Sequence, residues 1–382
     1  MLGLKKQQSQ RPDVALLTIP PDEAKLVAFL HTTIGTLLGR GYNAVSNVPL
    51  RRYASTHAIL EYEKNPSPME TNRIFSVASD PEVHRKRHLV TQGLNWLYSF
   101  FFLCIPQEKK TITGQMGEDF FATACSFGIL ASTPDGLFQS LLRFVATDDS
   151  IFLTSIFDRT QQLFTYFSYD SLIFSGLIRA SLPAGPSRRI LDYCCGTGFV
   201  GLQQAQEEDT LVGIDISEAA VWFSRLNAAL LGQSNTTFIR AKTPPADDRF
   251  DLIVCNPPFI FDRDGKTTSL DSSGGGHYGC QKTVEFLELF QDMLTNDGRC
   301  FLITRTPVFE DKTIYLYDVL KNKKSRFGGN LSVLSASISP LEEWERELGI
   351  IDYYHVLLSF QASAPMIWTL QQPANGYYRF AF

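Results

Sequence analysis

Asn256-Pro257-Pro258-Phe259 follows directly on the apolar run Phe250-Asp251-Leu252-Ile253-Val254-Cys255. The run reads as a buried strand. Two prolines end it, because proline donates no backbone N–H and fixes φ. The chain must turn there. The Asn256 side chain and the backbone carbonyl of Pro257 or Pro258 can then face a cavity at the strand's C-terminal end, where open α/β sheets hold ligands. An Asn carbonyl beside a free backbone carbonyl is an acceptor pair suited to one NH2 group. The Phe259 ring next door can stack on a flat substrate. These residues in this order predict chemistry at a planar nitrogen.

Two further segments bear on the same crevice. Ile190-Leu191-Asp192-Tyr193-Cys194-Cys195-Gly196-Thr197-Gly198-Phe199 reads as a strand, a turn of small residues and a helix start. Glycines let backbone approach a ligand, and a helix N-terminus favours negative charge. Alone, Gly196-Thr197-Gly198 is also what an ordinary tight β–α turn looks like. The next strand, Leu211-Val212-Gly213-Ile214, ends at Asp215. An acid there can accept from both hydroxyls of a ribose. It can equally cap the helix that follows, a job open to Ser217 as well. Together the three segments place ligand-facing groups on the C-terminal ends of the first, second and fourth strands.

In this combination the chain resembles the class I S-adenosylmethionine-dependent methyltransferases, over roughly residues 160–310. It is most similar to the small-domain group with an Asn-Pro-Pro-Phe/Tyr turn, which includes release-factor glutamine N-methyltransferases and rRNA base N-methyltransferases. The resemblance implies a Rossmann-like seven-stranded sheet and S-adenosylmethionine as cofactor. It implies that Asp192, Cys194, Gly196, Thr197 and Gly198 surround the methionine part, that Asp215 binds the ribose, and that Ile216 packs on the adenine. It also implies that Asn256 lies against the cofactor and, with the Pro257 carbonyl, holds the substrate nitrogen, and that Pro258 and Phe259 complete the catalytic turn. The chain departs from the group at Cys194, where the usual motif begins with glycine. It departs again at Arg240-Ala241-Lys242, where many relatives place an acid near the adenine.

Other residues carry weaker readings. Tyr169, in Phe167-Ser168-Tyr169-Asp170-Ser171, lies in a region that covers the cofactor in relatives, while Asp170 or Ser171 reads equally as a helix cap. Ser272-Ser273-Gly274-Gly275-Gly276-His277-Tyr278 is costly to order, as glycine runs are. It reads as a substrate lid, with His277 or Tyr278 touching the substrate, or as a plain loop. His84-Arg85-Lys86-Arg87-His88 reads as a solvated helix face or as a contact for an anionic substrate such as RNA phosphate. No metal site is expected.

The elements that must position these groups can be traced in outline. Strand-like runs at 189–193, 211–215, 236–240, 250–255 and 299–305 alternate with helical patterns at 199–208, 218–231 and 280–294. That alternation predicts a doubly wound parallel α/β sheet. Residues 331–337 and 351–360 are β-rich and would close the sheet edge, a short helix should run from Ser339-Pro340 to Leu348, and Asn375-Gly376 marks a terminal hairpin. Residues 161–382 are read as the catalytic domain and 1–160 as a mainly helical accessory domain. In the latter, Asp22 to Leu38 is a helix, Asp80-Pro81 starts another after a loop at Asn65-Pro66-Ser67-Pro68, and Trp96 to Pro106 is buried helix. A helix at 117–127 followed by β-rich stretches at 137–146 and 150–155 makes a winged-helix-like unit.

With 382 residues, 44% hydrophobic and 20% charged, the chain has the composition of a globular protein. A net charge of −5 gives no global basic footprint for nucleic acid. The seven cysteines form no framework and read as reduced thiols of a cytoplasmic protein. No signal peptide or membrane span is expected. RNA, a protein glutamine and a small metabolite all remain open as substrate, and a non-catalytic cofactor-binding adaptor remains open as an alternative class.

Overall fold

The computed structural model describes residues 17–45 and 95–371, leaving aside 148–149, 157–162, 168, 183–186, 245–247, 260, 262–276, 323–327, 337–340, 342 and 364–366. The loop at 65–68, the helix expected from Asp80, the basic run 84–88, the glycine run 272–276 and the terminal hairpin lie outside the described residues. The chain divides into two compact units, one ending at Phe164 and one containing everything described from Thr165 onward.

In the first unit, α1 (Glu23–Gly39) buries Leu26, Leu30, Thr33 and Leu37, the stripe that a 3.6-residue period dictates. Asp22 caps it, accepting from the Lys25 N–H at 3.0 Å. The apolar stretch after it forms α2 (Asn95–Leu97), which continues as a π-helical turn (Tyr98–Phe102). Helices α3 (Lys109–Met116) and α4 (Glu118–Ser126) meet at Gly117, whose φ of 94° only glycine adopts freely. The sequence pattern did not announce α3, because it buries Ile112 and little else.

Strands β1 (Leu130–Ser132) and β2 (Phe138–Ser140) form a hairpin around Pro134-Asp135-Gly136. Gln107, just before α3, bridges Phe138 on the other side of β2. Helix, helix and hairpin follow one another in the order that the sequence expectation gave them. The strand pairing differs from it in detail. The Pro-Asp-Gly turn folds residues 130–132 back onto 138–140. The stretch 137–146 breaks at Leu141, and β3 (Leu142–Ala146) then pairs with β4 (Ile151–Ser155) as a second hairpin.

The second unit opens with α5 (Tyr169–Ser181) and continues as β5 (Arg189–Tyr193), α6 (Phe199–Gln204), β6 (Thr210–Asp215), α7 (Glu218–Leu230), β7 (Thr236–Arg240) and β8 (Phe250–Cys255). Then come α8 (Gln281–Gln291), β9 (Leu294–Phe309), α9 (Tyr315–Asn322), β10 (Gly329–Ala336), α10 (Glu343–Glu347), β11 (Ile350–Gln361) and β12 (Trp368–Gln371). The sheet order is β12-β10-β11-β9-β8-β5-β6-β7. Strands β7, β6, β5, β8 and β9 run parallel, β11 runs antiparallel to β9 and β10, and β12 joins β10 in parallel. The expected seven strands are therefore present, with β12 as an eighth at the edge.

Central strands read as unbroken apolar runs because a parallel sheet is covered on both faces. Four of five β5 residues and five of six β8 residues are buried. Ile253, Leu287, Phe290, Leu302, Leu331 and Leu358 belong to one core cluster. Full burial of each such side chain contributes about 1.5–3 kcal/mol. No described helix is long and apolar enough to cross a membrane.

Candidate active site

Sheet register brings the predicted residues to one edge. Tyr193 pairs with Ile214 on one side and with Cys255 on the other. The turn after β5, Asp215 at the end of β6 and Asn256 after β8 therefore stand side by side, about 5 Å per strand step apart. Strand order reverses between β6 and β8 around β5, which makes this the switch-point crevice of the sheet.

The turn after β5 is held from beneath. Cys194 (φ 60°), Gly196 (φ 54°) and Gly198 (φ 74°) all take left-handed backbone. The Gly198 N–H donates to the Cys195 carbonyl at 2.7 Å, and the Cys195 N–H to the Ile214 carbonyl at 3.0 Å. Two buried polar residues of α7 fix the rest: Ser224 Oγ donates to the Gly196 carbonyl at 2.9 Å and Asn227 Nδ2 to the Thr197 carbonyl at 3.0 Å. Neither was singled out from sequence. The available signal was a serine and an asparagine three residues apart on the apolar face of a helix, since buried polar groups must find partners.

Asp192 is 2% exposed, and its carboxylate accepts from the Gly201 N–H at 2.9 Å. It braces the turn against α6 from inside. Burial pushes its carboxyl up to about 8, against the Gly201 N–H, which favours the charged form; the nearby Asp215 adds to the rise.

Asp215 accepts from the Gly196 N–H at 3.0 Å and from the Ser217 N–H at 2.9 Å. Ser217 is the residue that caps α7, accepting from the Ala220 N–H. Asp215 is thus tied to both motif turns, with one oxygen engaged at each, and each carboxylate oxygen has a further lone pair. Beside it Ile216 is 42% exposed, an apolar side chain left at the crevice. A Cβ at Gly196 would meet only the Tyr166 carbonyl at 3.6 Å and Thr165 Oγ1 at 3.9 Å, so glycine keeps a slot open between the turn and that segment. Acceptor, apolar platform and glycine slot fit a ribonucleoside joined to a short polar chain, as S-adenosylmethionine is. Near the end of β7, Arg240 Nε donates to the Ile216 carbonyl at 3.1 Å, and Ala241 N–H donates to the Asp215 carbonyl at 3.0 Å. Arg240 also pairs with Glu218 of α7 at 3.4 Å.

Asn256 is half-buried. Its Nδ2 lies 3.4 Å from Asp170 Oδ2 and 3.4 Å from Ser171 Oγ, both in the first turn of α5. The sequence reads these two as helix caps or as part of a segment over the cofactor, and neither reading pairs them with Asn256. Pro257 is buried and Pro258 half-buried. Phe259 is 8% exposed, with its ring edge-on to His355 at 6.4 Å, and so anchors the turn to β11. Tyr278 takes a φ of 58° and packs against Phe261, Phe309 and Tyr315 at 4.8–5.5 Å. The side chains of Tyr169 and His277 lie outside the described residues. All seven cysteines are free, and among the described residues no cluster of three metal-ligating side chains occurs.

Residues 161–272 match the family profile described as "Methyltransferase small domain". Among curated proteins, the chain is 36% identical over 77 residues to the "23S rRNA (uracil(747)-C(5))-methyltransferase RlmC" of Shewanella baltica, covering 19% of this chain and 20% of that protein. It is 34% identical over 110 residues to the "Ribosomal RNA small subunit methyltransferase C" of Salmonella arizonae, covering 28% and 31%. The chain thus spans about a third or less of the length of these relatives. Similar solved structures include Trm5b from Pyrococcus abyssi (15% identity, 61% of this chain and 62% of that one, TM-score 0.39). Another is TYW2 from M. jannaschii in complex with AdoMet (14% identity, 58% and 86%, TM-score 0.36). The likeness to the methyltransferase small domain is thus carried by residues 161–272, the segment that holds the turns after β5 and β8.

Proposed function

We propose that this protein is an S-adenosylmethionine-dependent N-methyltransferase that modifies a planar exocyclic nitrogen, with an RNA base as the substrate class. One observation carries the reading. β5 and β8 are hydrogen-bonded neighbours, so the Asn256 turn stands one strand away from the Cys194–Gly198 turn. An acceptor pair for an NH2 group therefore adjoins a turn built to approach a nucleoside cofactor. The curated relatives, both rRNA methyltransferases, support RNA as the substrate class. One of those names specifies carbon 5 of uracil, so kinship does not choose the atom; the Asn-Pro-Pro-Phe turn argues for nitrogen.

Asp215 and the backbone of Gly196 would hold the ribose side of the cofactor, Ile216 would cover its base, and residues 194–198 would line the methionine side. When bound, S-adenosylmethionine supplies an electrophilic methyl on a sulfonium. The protein's part is positioning. Asn256 Oδ1 and the Pro257 carbonyl accept the two N–H bonds of the target, which aims the nitrogen lone pair out of its plane and into the crevice. Phe259 forms the wall beside it. As positive charge develops on nitrogen, both acceptors bind it more strongly than in the ground state, which lowers the barrier.

The test combines radiolabelled S-adenosylmethionine with total RNA, protein extract or metabolite extract. Label in RNA, recovered after nuclease digestion on a base nitrogen, is the expected result. Asn256→Ala should bind cofactor normally and lose about 100- to 1000-fold in kcat, the scale for removing one transition-state hydrogen bond. Asp215→Ala should lose cofactor binding by calorimetry. Unimpaired transfer by Asn256→Ala, or a methyl found on carbon, sinks the N-methylation mechanism. Label confined to protein or metabolites replaces RNA as the substrate class. Cofactor binding with no transfer to any pool favours a non-catalytic adaptor.

A further inference from the structure

A side-chain amide has two ends of nearly equal size and opposite hydrogen-bonding character. Turning Asn256 over about its terminal bond exchanges C=O for NH2 with little steric cost, yet it would present a donor to a donor. A nitrogen-binding asparagine needs a neighbour that distinguishes the two ends. Asp170 Oδ2 and Ser171 Oγ both lie 3.4 Å from Nδ2. They come from residues 86 and 85 positions away in sequence, on the first turn of α5.

From this geometry we infer that Asp170 is the positioning residue that fixes the Asn256 amide with its oxygen towards the substrate nitrogen. The inference rests on the methyltransferase reading above. A carboxylate can only accept, so the flipped amide would set Oδ1 against Oδ2 with no proton between them. Asp170 is 6% exposed and Ser171 7%, so bulk water does not step in to relieve that clash. A second effect follows from the charge. A carboxylate drawing on the amide N–H shifts amide electron density towards Oδ1, and hydrogen bonds in a chain strengthen one another this way. Oδ1 becomes a better acceptor as the target nitrogen becomes positive. Asp170 never touches the substrate; it acts through Asn256.

The experiment compares full-length wild type with Asp170→Ala, Asp170→Asn, Asn256→Asp and the exchanged pair Asp170→Asn/Asn256→Asp. Asp170→Ala should lower kcat by about 10- to 100-fold, the range seen when a supporting partner of a site residue is removed. Its KM, cofactor affinity and thermal midpoint should stay near wild type. Asn256→Asp should lose more, because two carboxylates then face each other. The exchanged pair should recover at least about tenfold over Asn256→Asp, because the amide now on α5 can donate to one oxygen of the carboxylate now on the catalytic turn and leave the other to accept. That recovery is specific to orientation; a merely structural Asp170 would not produce it. Wild-type kcat in both Asp170 variants, or no recovery in the exchanged pair, overturns the inference while leaving the methyltransferase reading intact. Should wild type transfer to no substrate, that reading fails instead, and the inference is read from the Asn256 side-chain amide resonances of 15N-labelled protein. They should move furthest in Asp170→Ala, which removes the acceptor, and less in Asp170→Asn, which removes only its charge; unmoved resonances in both overturn it.

Discussion

At the scale of the residue, Asp192 separates two meanings of a motif position. By resemblance it belongs around the cofactor, and in space its carboxylate serves the Gly201 N–H from inside the sheet. A Cβ at Gly201 would meet Asp192 Cβ and Oδ2 at 2.8 Å, so this acid and this glycine are matched in shape as well as by the hydrogen bond. The site gives the carboxyl a raised pKa of about 8 against an ordinary 3.8. The folded protein therefore holds a proton that the unfolded chain releases. Its stabilising share is complete below about pH 3.8 and is lost as pH rises to about 8. Asp192→Asn lacks this dependence. Between pH 5 and pH 8 the wild type should lose unfolding free energy relative to Asp192→Asn by up to about 1.4 kcal/mol per pH unit. Urea unfolding of both proteins at several pH values checks it; parallel curves would show that Asp192 stays ionised.

The elements show what holds the two motif turns in place, and here glycine and buried polar residues matter more than the motif itself. Gly213 lies in the middle of β6 beside Phe238 of β7, and a Cβ there would sit 2.2 Å from the ring. Gly213→Ala should cost about 1–3 kcal/mol through overpacking. Phe238→Leu should restore part of that loss when the two are combined, as read from denaturation midpoints. Asn227→Ala would leave the buried Thr197 carbonyl without its donor at 3.0 Å. It should cost about 1–3 kcal/mol and weaken cofactor binding together with stability. The parallel strands and the turns after β5 and β8 were legible in sequence because an apolar run bounded by glycine or proline has few other readings. Gly213 and Asn227 were not, since a strand glycine and a helix asparagine acquire meaning only from what lies across from them. The same holds for Asp170, whose partner is 86 residues away. The second hairpin, β3 with β4, was hidden for a related reason: a continuous β-rich stretch does not say where it folds back.

For the molecule as a whole, the helix–helix–hairpin run that the sequence reads as winged-helix-like invites a nucleic-acid reading that its charges do not support. In such units the second helix of the pair and the hairpin turn are the parts that reach a duplex. Here that helix, α4, begins with exposed Glu118 and Asp119, and the hairpin turn carries exposed Asp135. Lys109 on α3 is drawn to Glu118 at 3.4 Å, which leaves a neutralised pair at the surface. A phosphate backbone approaching α4 would meet like charge, and binding driven by counterion release needs the opposite sign. RNA contact, if the catalytic unit acts on RNA, should therefore not run through α4. Neutralising its first turn with Glu118→Gln/Asp119→Asn should leave kcat/KM on RNA unchanged within about twofold, since no transition-state contact is removed. Reversing it with Glu118→Lys/Asp119→Lys should create a phosphate contact that the natural protein lacks. Non-specific RNA binding, followed by fluorescence anisotropy across a salt series, should then tighten, and the slope of log K against log salt should steepen by about 0.7 per new contact on single-stranded RNA. A large loss of activity in the neutralised variant would instead place α4 against the substrate through acidic side chains. That would point away from phosphate and towards a cationic protein partner as what this unit recognises.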